Sequence, residues 1–265
     1  MFQRRDLPER LEAVRAAHAP DCVVLDVDAD LDTLPPAVAE DLGLFVDSLD
    51  PATAPGEWLP DDAPAIVERY AGSDFLVGMP DDGTVAWTRQ TVPPTVLVKA
   101  RAEGTPEEFL DFLLAEAFVR IGLGVPERFV GFFEERYRDL DAAVDLDPAA
   151  TYQIAAALYD GWLGLRTRET FRSWSEDHPD LHAAWVDAGE RLVGRLDGLP
   201  REVARGETTF PAATELACAA LKHDIDLPAP FAALNTSAYA EYGADYAVTW
   251  AEKTFEQLRE GEDGS

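Results

Sequence analysis

Lysine, cysteine and long apolar runs are all scarce in this sequence, and each shortage excludes a class of protein. The lysines are Lys99, Lys222 and Lys253, so arginine supplies most of the 22 basic residues. The two cysteines, Cys22 and Cys218, are far apart and lack CxxC spacing, which argues against a disulfide framework or a cysteine zinc site. No apolar run approaches the length of about 18 residues that a membrane-spanning helix needs.

Acidic residues, in contrast, are abundant. The chain has 51 Asp and Glu against 22 Lys and Arg, which gives a formal net charge of −29. The Debye length is about 10 Å at roughly 0.1 M salt and about 3 Å at about 1 M, so concentrated salt screens the repulsion between these carboxylates. Because 47% of the residues are hydrophobic, the chain can still bury a core.

This composition resembles that of archaea that keep molar potassium in the cytoplasm. We therefore expect a halophilic, acidic-proteome protein with salt-dependent stability, and an acidic mesophile protein such as a nucleic-acid mimic or regulator is the alternative. Arg4 and Arg5 could begin a twin-arginine export signal, but Asp6 to Glu9 stand where its apolar segment should be. The expected location is cytoplasmic. With no basic stripe, the sequence predicts no nucleic-acid binding.

Residues 1–104 have the pattern of a mixed α and β region. The sequence predicts a short helix capped by Asp6 and ended by Pro20, a strand over 22–27, and a helix from about Pro36. That last helix would place Val38, Leu42, Phe45 and Leu49 on one face. A loop over 50–64 and a short helix over 65–70 follow.

A hairpin is the clearest β signal. Apolar runs at 75–79 and 84–88 flank an Asp-Gly turn at Asp82 and Gly83, and residues 95–100 form a plausible third strand. The sequence therefore predicts a small antiparallel sheet in this half of the chain.

Residues 105–260 are helical in pattern, and residues 261–265 form a predicted disordered tail. Thr105 to Glu108 match a capping box with proline at the first helical position, and further helices are expected near Pro126, Pro148, Pro179 and Pro211. The last helix should span about 236–260. The predicted fold class is α+β and predominantly α, with the small sheet followed by a helical bundle or array.

Aspartates alternate after the predicted strand, at Asp26, Asp28, Asp30 and Asp32. This D-x-D spacing resembles the first motif of haloacid-dehalogenase-type phosphatases, which implies a nucleophile and an acid/base beside magnesium. The Gly-Thr or Thr-Thr that follows in that family is Ala29-Asp30 here. The structural interpretation is that Val23, Leu25, Val27 and Leu31 line the dry face of a strand and the aspartates its wet face.

A second candidate site is Lys222-His223-Asp224, at the end of the Ala-rich helix that includes Leu216. The segment resembles the helix end that carries the His-Asp doublet of HD-domain phosphohydrolases. By that resemblance, His223 and Asp224 would bind a divalent metal that activates water, together with an upstream His178 or His182 and a downstream aspartate such as Asp245. A partly buried histidine that serves only packing is the alternative.

Two other patterns favour structural roles. His178 and His182 flank Pro179, where the first histidine would cap a helix and the second lie within it. The last helix places Tyr239, Tyr242, Tyr246 and Trp250 on one stripe, which is typical of core packing but could also form a ligand or partner groove.

These patterns define no catalytic set and no cofactor-binding residues. The first hypothesis is a non-enzymatic, partner-binding or regulatory protein that binds a protein or a small apolar ligand. The alternative is an HD-domain-like metal-dependent phosphohydrolase, with His182, His223 and Asp224 as the metal ligands. Oligomeric state and pathway are left open.

Overall fold

The computed structural model describes residues 2–30, 34, 36–77 and 83–263, and it is 61% helical. This confirms the predicted α+β, predominantly α fold class with a small sheet near the N-terminus. The strands are β1 Phe2–Arg4, β2 Val23–Val27, β3 Ser48–Leu49, β4 Val85–Thr88, β5 Thr91–Val92 and β6 Thr95–Val98.

The helices of the described residues follow proline positions closely. Two of the four predicted starts, Pro148 and Pro179, are the first residues of helices, and Pro211 is the second residue of its helix. The helices are α1 Glu9–His18, α2 Pro36–Leu42, α3 Ala65–Ala71, α4 Glu107–Gly122, α5 Phe129–Phe133, α6 Arg136–Val144, α7 Pro148–Asp177, α8 Pro179–Leu196, α9 Leu199–Ala204, α10 Phe210–Leu221 and α11 Ser237–Asp263.

The sheet is mixed rather than purely antiparallel. Its strand order is β1, β2, β6, β4, with β2 and β6 parallel and the two outer pairs antiparallel. The predicted hairpin partner at 75–79 contributes no strand among its described residues, and residues 78–82 lie outside them. β4 pairs instead with β6, and a separate two-stranded ribbon joins β3 to β5.

Side chains of β2 alternate between two apolar layers. Val23, Leu25 and Val27 pack with α2 residues such as Leu42 in one cluster. Val24 packs with α1 and α4 in the other. The predicted dry face is therefore confirmed for the three described residues, while Leu31 lies outside the described part of the chain. On the opposite face, helices bury Val24, while Asp26 is half-buried.

Three predicted helix details are wrong. Helix α1 begins at Glu9 with Pro8 at its N-terminal cap position, and no side chain caps it, so the predicted Asp6 cap is not formed. In the described helix α4, no side chain caps the first turn; the Pro106 carbonyl accepts from the amides of Phe109 and Leu110 instead, so the capping box at Thr105 is not formed. Helix α2 ends at Leu42, seven residues before Leu49, and the chain turns there into strand β3.

The chain divides into two compact units, each built from several segments. One contains Met1–Thr53, Gly72–Glu127 and Thr170–Trp185, and the other contains Ala54–Ala71, Arg128–Glu169 and Val186–Ser265. The boundary at 104 and 105 came from composition and stays a prediction. Helix α11 reaches Asp263, three residues into the predicted tail, and residues 264 and 265 lie outside the described part.

In the second unit, helices approach closely through glycine. A Cβ added at Gly161 would lie 2.9 Å from Leu221 Cδ1, and one added at Gly164 would lie 2.9 Å from the Lys222 backbone nitrogen. Helix α7 therefore meets the end of α10 backbone to backbone, which fixes the position of the residues after α10. Arg128 lies buried in the same unit, 4.9 Å from the centre of the Tyr70 ring.

Candidate functional site

The segment after helix α10 carries His223 and Asp224. Asp224 has a left-handed backbone (φ 54°), and its carboxylate lies 3.0 Å from the Arg168 guanidinium, which also donates to Asn235 Oδ1 at 2.6 Å. A Cβ at Gly189 would lie 3.1 Å from the His223 ring, so helix α8 packs directly on the imidazole. The arginine thus holds the carboxylate that a metal would need, and the geometry favours a packing role for this segment.

His178 and His182 flank the start of helix α8 in the first unit. The His178 carbonyl accepts from the His182 amide at 3.0 Å, so the cap is made by backbone. Each ring packs on its own tryptophan: His178 on Trp174, with centroids 6.2 Å apart, and His182 on Trp185, at 5.5 Å.

Among the residues that the structure describes, no group of three or more His, Cys, Asp and Glu side chains is placed to hold a metal ion. His182 belongs to the first compact unit, and His223 and Asp224 belong to the second. The metal set His182, His223 and Asp224 stays a prediction, and catalytic residues are still to be identified.

The alternating aspartates lie at the carboxyl end of β2, beside the end of its parallel neighbour β6. Asp26 pairs with Arg5 at 2.6 Å. Asp30 accepts from the Arg101 amide at 2.9 Å, and its pKa is lowered first by this hydrogen bond and also by the charges of Arg101 and Lys99. These two aspartates therefore engage basic residues, where the sequence predicted only a wet face; Asp32 lies outside the described residues.

Lys99 is the unexpected member of this sheet edge, because its side chain is only 2% exposed in a protein with three lysines. It follows β6 directly, and its amide donates to the Thr84 carbonyl at 2.9 Å. Its burial could not be predicted from the sequence, since the parallel pairing of β2 with β6 is a long-range contact.

The aromatic stripe of helix α11 is mostly core. Tyr239 donates to the Leu158 carbonyl at 2.6 Å, Tyr246 to that of Ala233 at 2.7 Å, and Trp250 to that of Pro230 at 3.1 Å. Tyr242 is exposed. The core interpretation is therefore confirmed for buried Tyr239 and Trp250, and their polar atoms bond to carbonyls rather than facing a groove.

A surface that the sequence analysis did not single out lies at the β3 and β5 ribbon in the first unit. We call it the ribbon face, and define it by Leu44, Val92 and the exposed carboxylates of Glu40, Asp41, Asp47 and Asp50. Leu44 is 82% exposed and Val92 is 55% exposed. The Asp47 amide donates to the Val92 carbonyl at 2.6 Å, which joins the two segments.

The ribbon is held from below by packing and hydrogen bonds. Val46 is buried with the sheet core, and Phe45 packs partly on it and edge-on to Phe2. On the other strand, Thr91 donates to the Pro93 carbonyl at 2.7 Å, and buried Gln90 donates to that of Leu76 at 2.7 Å. Val92 therefore faces outward from a supported ribbon, and Leu44 is exposed in the turn between helix α2 and strand β3.

A signal for this face was present in the sequence. Between Arg15 and Arg69 there is no lysine or arginine, while thirteen Asp and Glu occur. The exposure of Leu44 within this acidic stretch could not be recognised by periodicity, because Leu44 lies two residues past a helix whose end depends on tertiary packing.

The chain is a strongly acidic α+β protein with two exposed aliphatic side chains at its ribbon face, and none of its described helices has the length and apolar character to cross a membrane. A family model, "Family of unknown function (DUF7089)", matches residues 1–258. The chain belongs to this family. No curated protein and no solved structure matches it.

Proposed function

We propose that this chain is a non-enzymatic partner-binding or regulatory protein of the cytoplasm of a halophilic archaeon, and that the ribbon face is where its partner binds. The observation that carries the proposal is the outward exposure of Leu44 and Val92 beside a segment that buried Val46 anchors to the sheet core. Large aliphatic side chains contribute about 1.5–3 kcal/mol each when fully buried, so covering both would contribute to the affinity for a partner.

The distribution of acidic residues supports adaptation to molar salt. Among the described carboxylates, only those of Asp111 and Glu116 belong to buried residues, and each is bound by an arginine, Arg10 and Arg120. The rest of the described acidic surplus is at least partly exposed, so it repels through solvent. Concentrated salt screens such repulsion while leaving apolar contacts intact.

The acidic residues also affect one another's protonation, as Asp141 shows. Its pKa is raised first by burial and then by the negative charge of nearby Asp62.

The strongly negative surface argues against nucleic acid as the partner, since phosphate backbones are bound through basic residues. An outward-facing ribbon suits a protein surface better than a small apolar ligand, which would need to be enclosed.

The test is affinity capture from halophile extract in about 3 M KCl, with the captured protein identified, purified and titrated. The wild-type chain and a Val193→Glu control, which alters another exposed valine in helix α8, should capture and bind it equally. The double variant Leu44→Glu, Val92→Glu should lose at least tenfold in affinity while keeping the wild-type circular dichroism. Equal binding by all three chains would refute the ribbon face as the binding surface.

The alternative function is an HD-domain-like metal-dependent phosphohydrolase that uses His223 and Asp224, which are adjacent at the end of helix α10. Metal analysis of protein purified in molar salt and a phosphatase screen test it, with His223→Ala as the matched variant. Bound divalent metal and activity that both disappear in the variant would favour this enzyme over the binding protein. Absence of metal, with equal activity in both chains, would eliminate it.

A further inference from the structure

The ribbon face combines two apolar side chains with a rim of one charge sign. Glu40, Asp41, Asp47 and Asp50 are all exposed, and they lie within seven residues of Leu44 in sequence. Arg4 reaches this segment, where its guanidinium lies 3.5 Å from the Phe45 carbonyl. Helix α2 and strands β3 and β5 contain no lysine or arginine. Exposed Arg89 precedes β5, and its guanidinium donates to the Val125 carbonyl at 3.0 Å.

Charge sign limits what can cover such a face. A second copy of this chain would bring the same carboxylates against the rim, and like charges in contact cost several kcal/mol even where more distant ones are screened. At about 1 M salt the Debye length is about 3 Å, which removes long-range electrostatic steering. Only charged groups of a partner in direct contact with the rim then contribute to binding.

Resting on the proposed function, we propose that the partner is a protein segment that covers Leu44 and Val92 with apolar side chains and sets lysine or arginine against the flanking carboxylates. The apolar contact supplies affinity, which persists in molar salt. The ion pairs supply selectivity, because most proteins in an acidic cytoplasm would present the wrong charge to this face.

The test uses two synthetic amphipathic peptides with the same leucine positions, one with lysine and the other with glutamate at every charged position. Fluorescence anisotropy against the full chain is measured in about 1 M and about 3 M KCl. The lysine peptide should bind at least tenfold more tightly than the glutamate peptide. The variant Asp41→Asn, Asp47→Asn should reduce that ratio to below about twofold, and Val193→Glu should leave it unchanged.

The variants separate the two levels of the proposal. If both peptides bind equally and both depend on Leu44 and Val92, the partner-binding surface stands and the basic partner is wrong. If the lysine peptide binds Leu44→Glu, Val92→Glu as tightly as the wild type, its attraction is to overall charge and both proposals fail. Sedimentation of the wild-type chain as a dimer that those substitutions dissociate would instead show a second copy as the occupant.

Discussion

Charged and titratable residues inside the first unit are placed in pairs. Arg10 donates from Nε to Asp111 at 2.7 Å, and Arg120 lies 2.9 Å from Glu116 along helix α4. A buried carboxylate is tolerated only when such a partner compensates the loss of water. Each of the two buried carboxylates among the described residues is therefore neutralised by its own arginine.

His18, at the end of helix α1, is the residue that should make stability depend on pH. Burial lowers its pKa below the ordinary value of 6.5, and the charge of His178 lowers it further. A group whose pKa is lower in the folded state binds its proton more readily when unfolded. We therefore expect the contribution of His18 to be complete above about pH 6.5 and to be lost as the pH falls through its folded pKa.

The measurement is the unfolding midpoint in denaturant, in molar KCl, from about pH 8 to about pH 5. His18→Gln should show a smaller loss on acidification than the wild type. Comparison at about pH 8, where both side chains are neutral, isolates any packing cost of the substitution. Two curves that run parallel over this range would show that His18 does not contribute.

Sequence reasoning was uneven at this scale. It found the apolar face of β2 from alternation alone, because a strand has a period of two. It missed buried Lys99, since that burial depends on the pairing of strands 70 residues apart along the chain. It could not see that Arg168 would meet Asp224, because chain separation hides such contacts.

At the scale of elements, local chemistry determines where helices start, and long-range packing determines how the strands pair and where the helices break. Prolines at 148 and 179 begin helices as predicted, since a fixed φ angle and a missing amide suit the first turn. The sheet was harder to predict. β6 pairs with nearby β4 and also with distant β2, and the second, parallel pairing makes the sheet mixed rather than antiparallel.

Helix α11 shows a similar limit. Its aromatic spacing predicted one continuous helix, but Gly243 has a left-handed backbone (φ 51°, ψ −120°) that interrupts it. The Ala240 carbonyl near this break accepts from Trp162 Nε1 at 3.2 Å. A side chain at Gly243 would lie 3.1 Å from the Phe132 ring, so the glycine is required both for its angle and for its size.

The contact between helices α7 and α10 gives a direct prediction. Gly164→Ala should destabilise the protein by about 1–3 kcal/mol, because the new methyl group would meet the Lys222 backbone, which has little freedom to move. Unfolding in denaturant, in molar salt, measures the change.

Gly194 provides the matched control, since it also lies in a helix but has nothing within 4 Å of an added Cβ. Gly194→Ala should stabilise the protein by about 0.5–1 kcal/mol through the lower entropy of the unfolded chain. If Gly164→Ala stabilised the protein to the same extent, the close approach of the two helices would be incorrect.

For the whole molecule, the surplus of acidic residues is the property that joins composition, structure and proposed function. The described core is apolar with paired charges, and the acidic side chains cover the outside of two compact units. Folding in dilute buffer must then oppose the mutual repulsion of a chain with a net charge of −29. The ribbon face depends on the same condition, because it is present only while the chain is folded.

The decisive measurement is the thermal unfolding midpoint, followed by circular dichroism, as KCl is lowered from about 3 M to about 0.2 M. Screening predicts that the midpoint falls steadily with dilution, and that the helical signal itself is lost near the lower limit. A midpoint that is unchanged or higher in dilute buffer would contradict adaptation to concentrated salt.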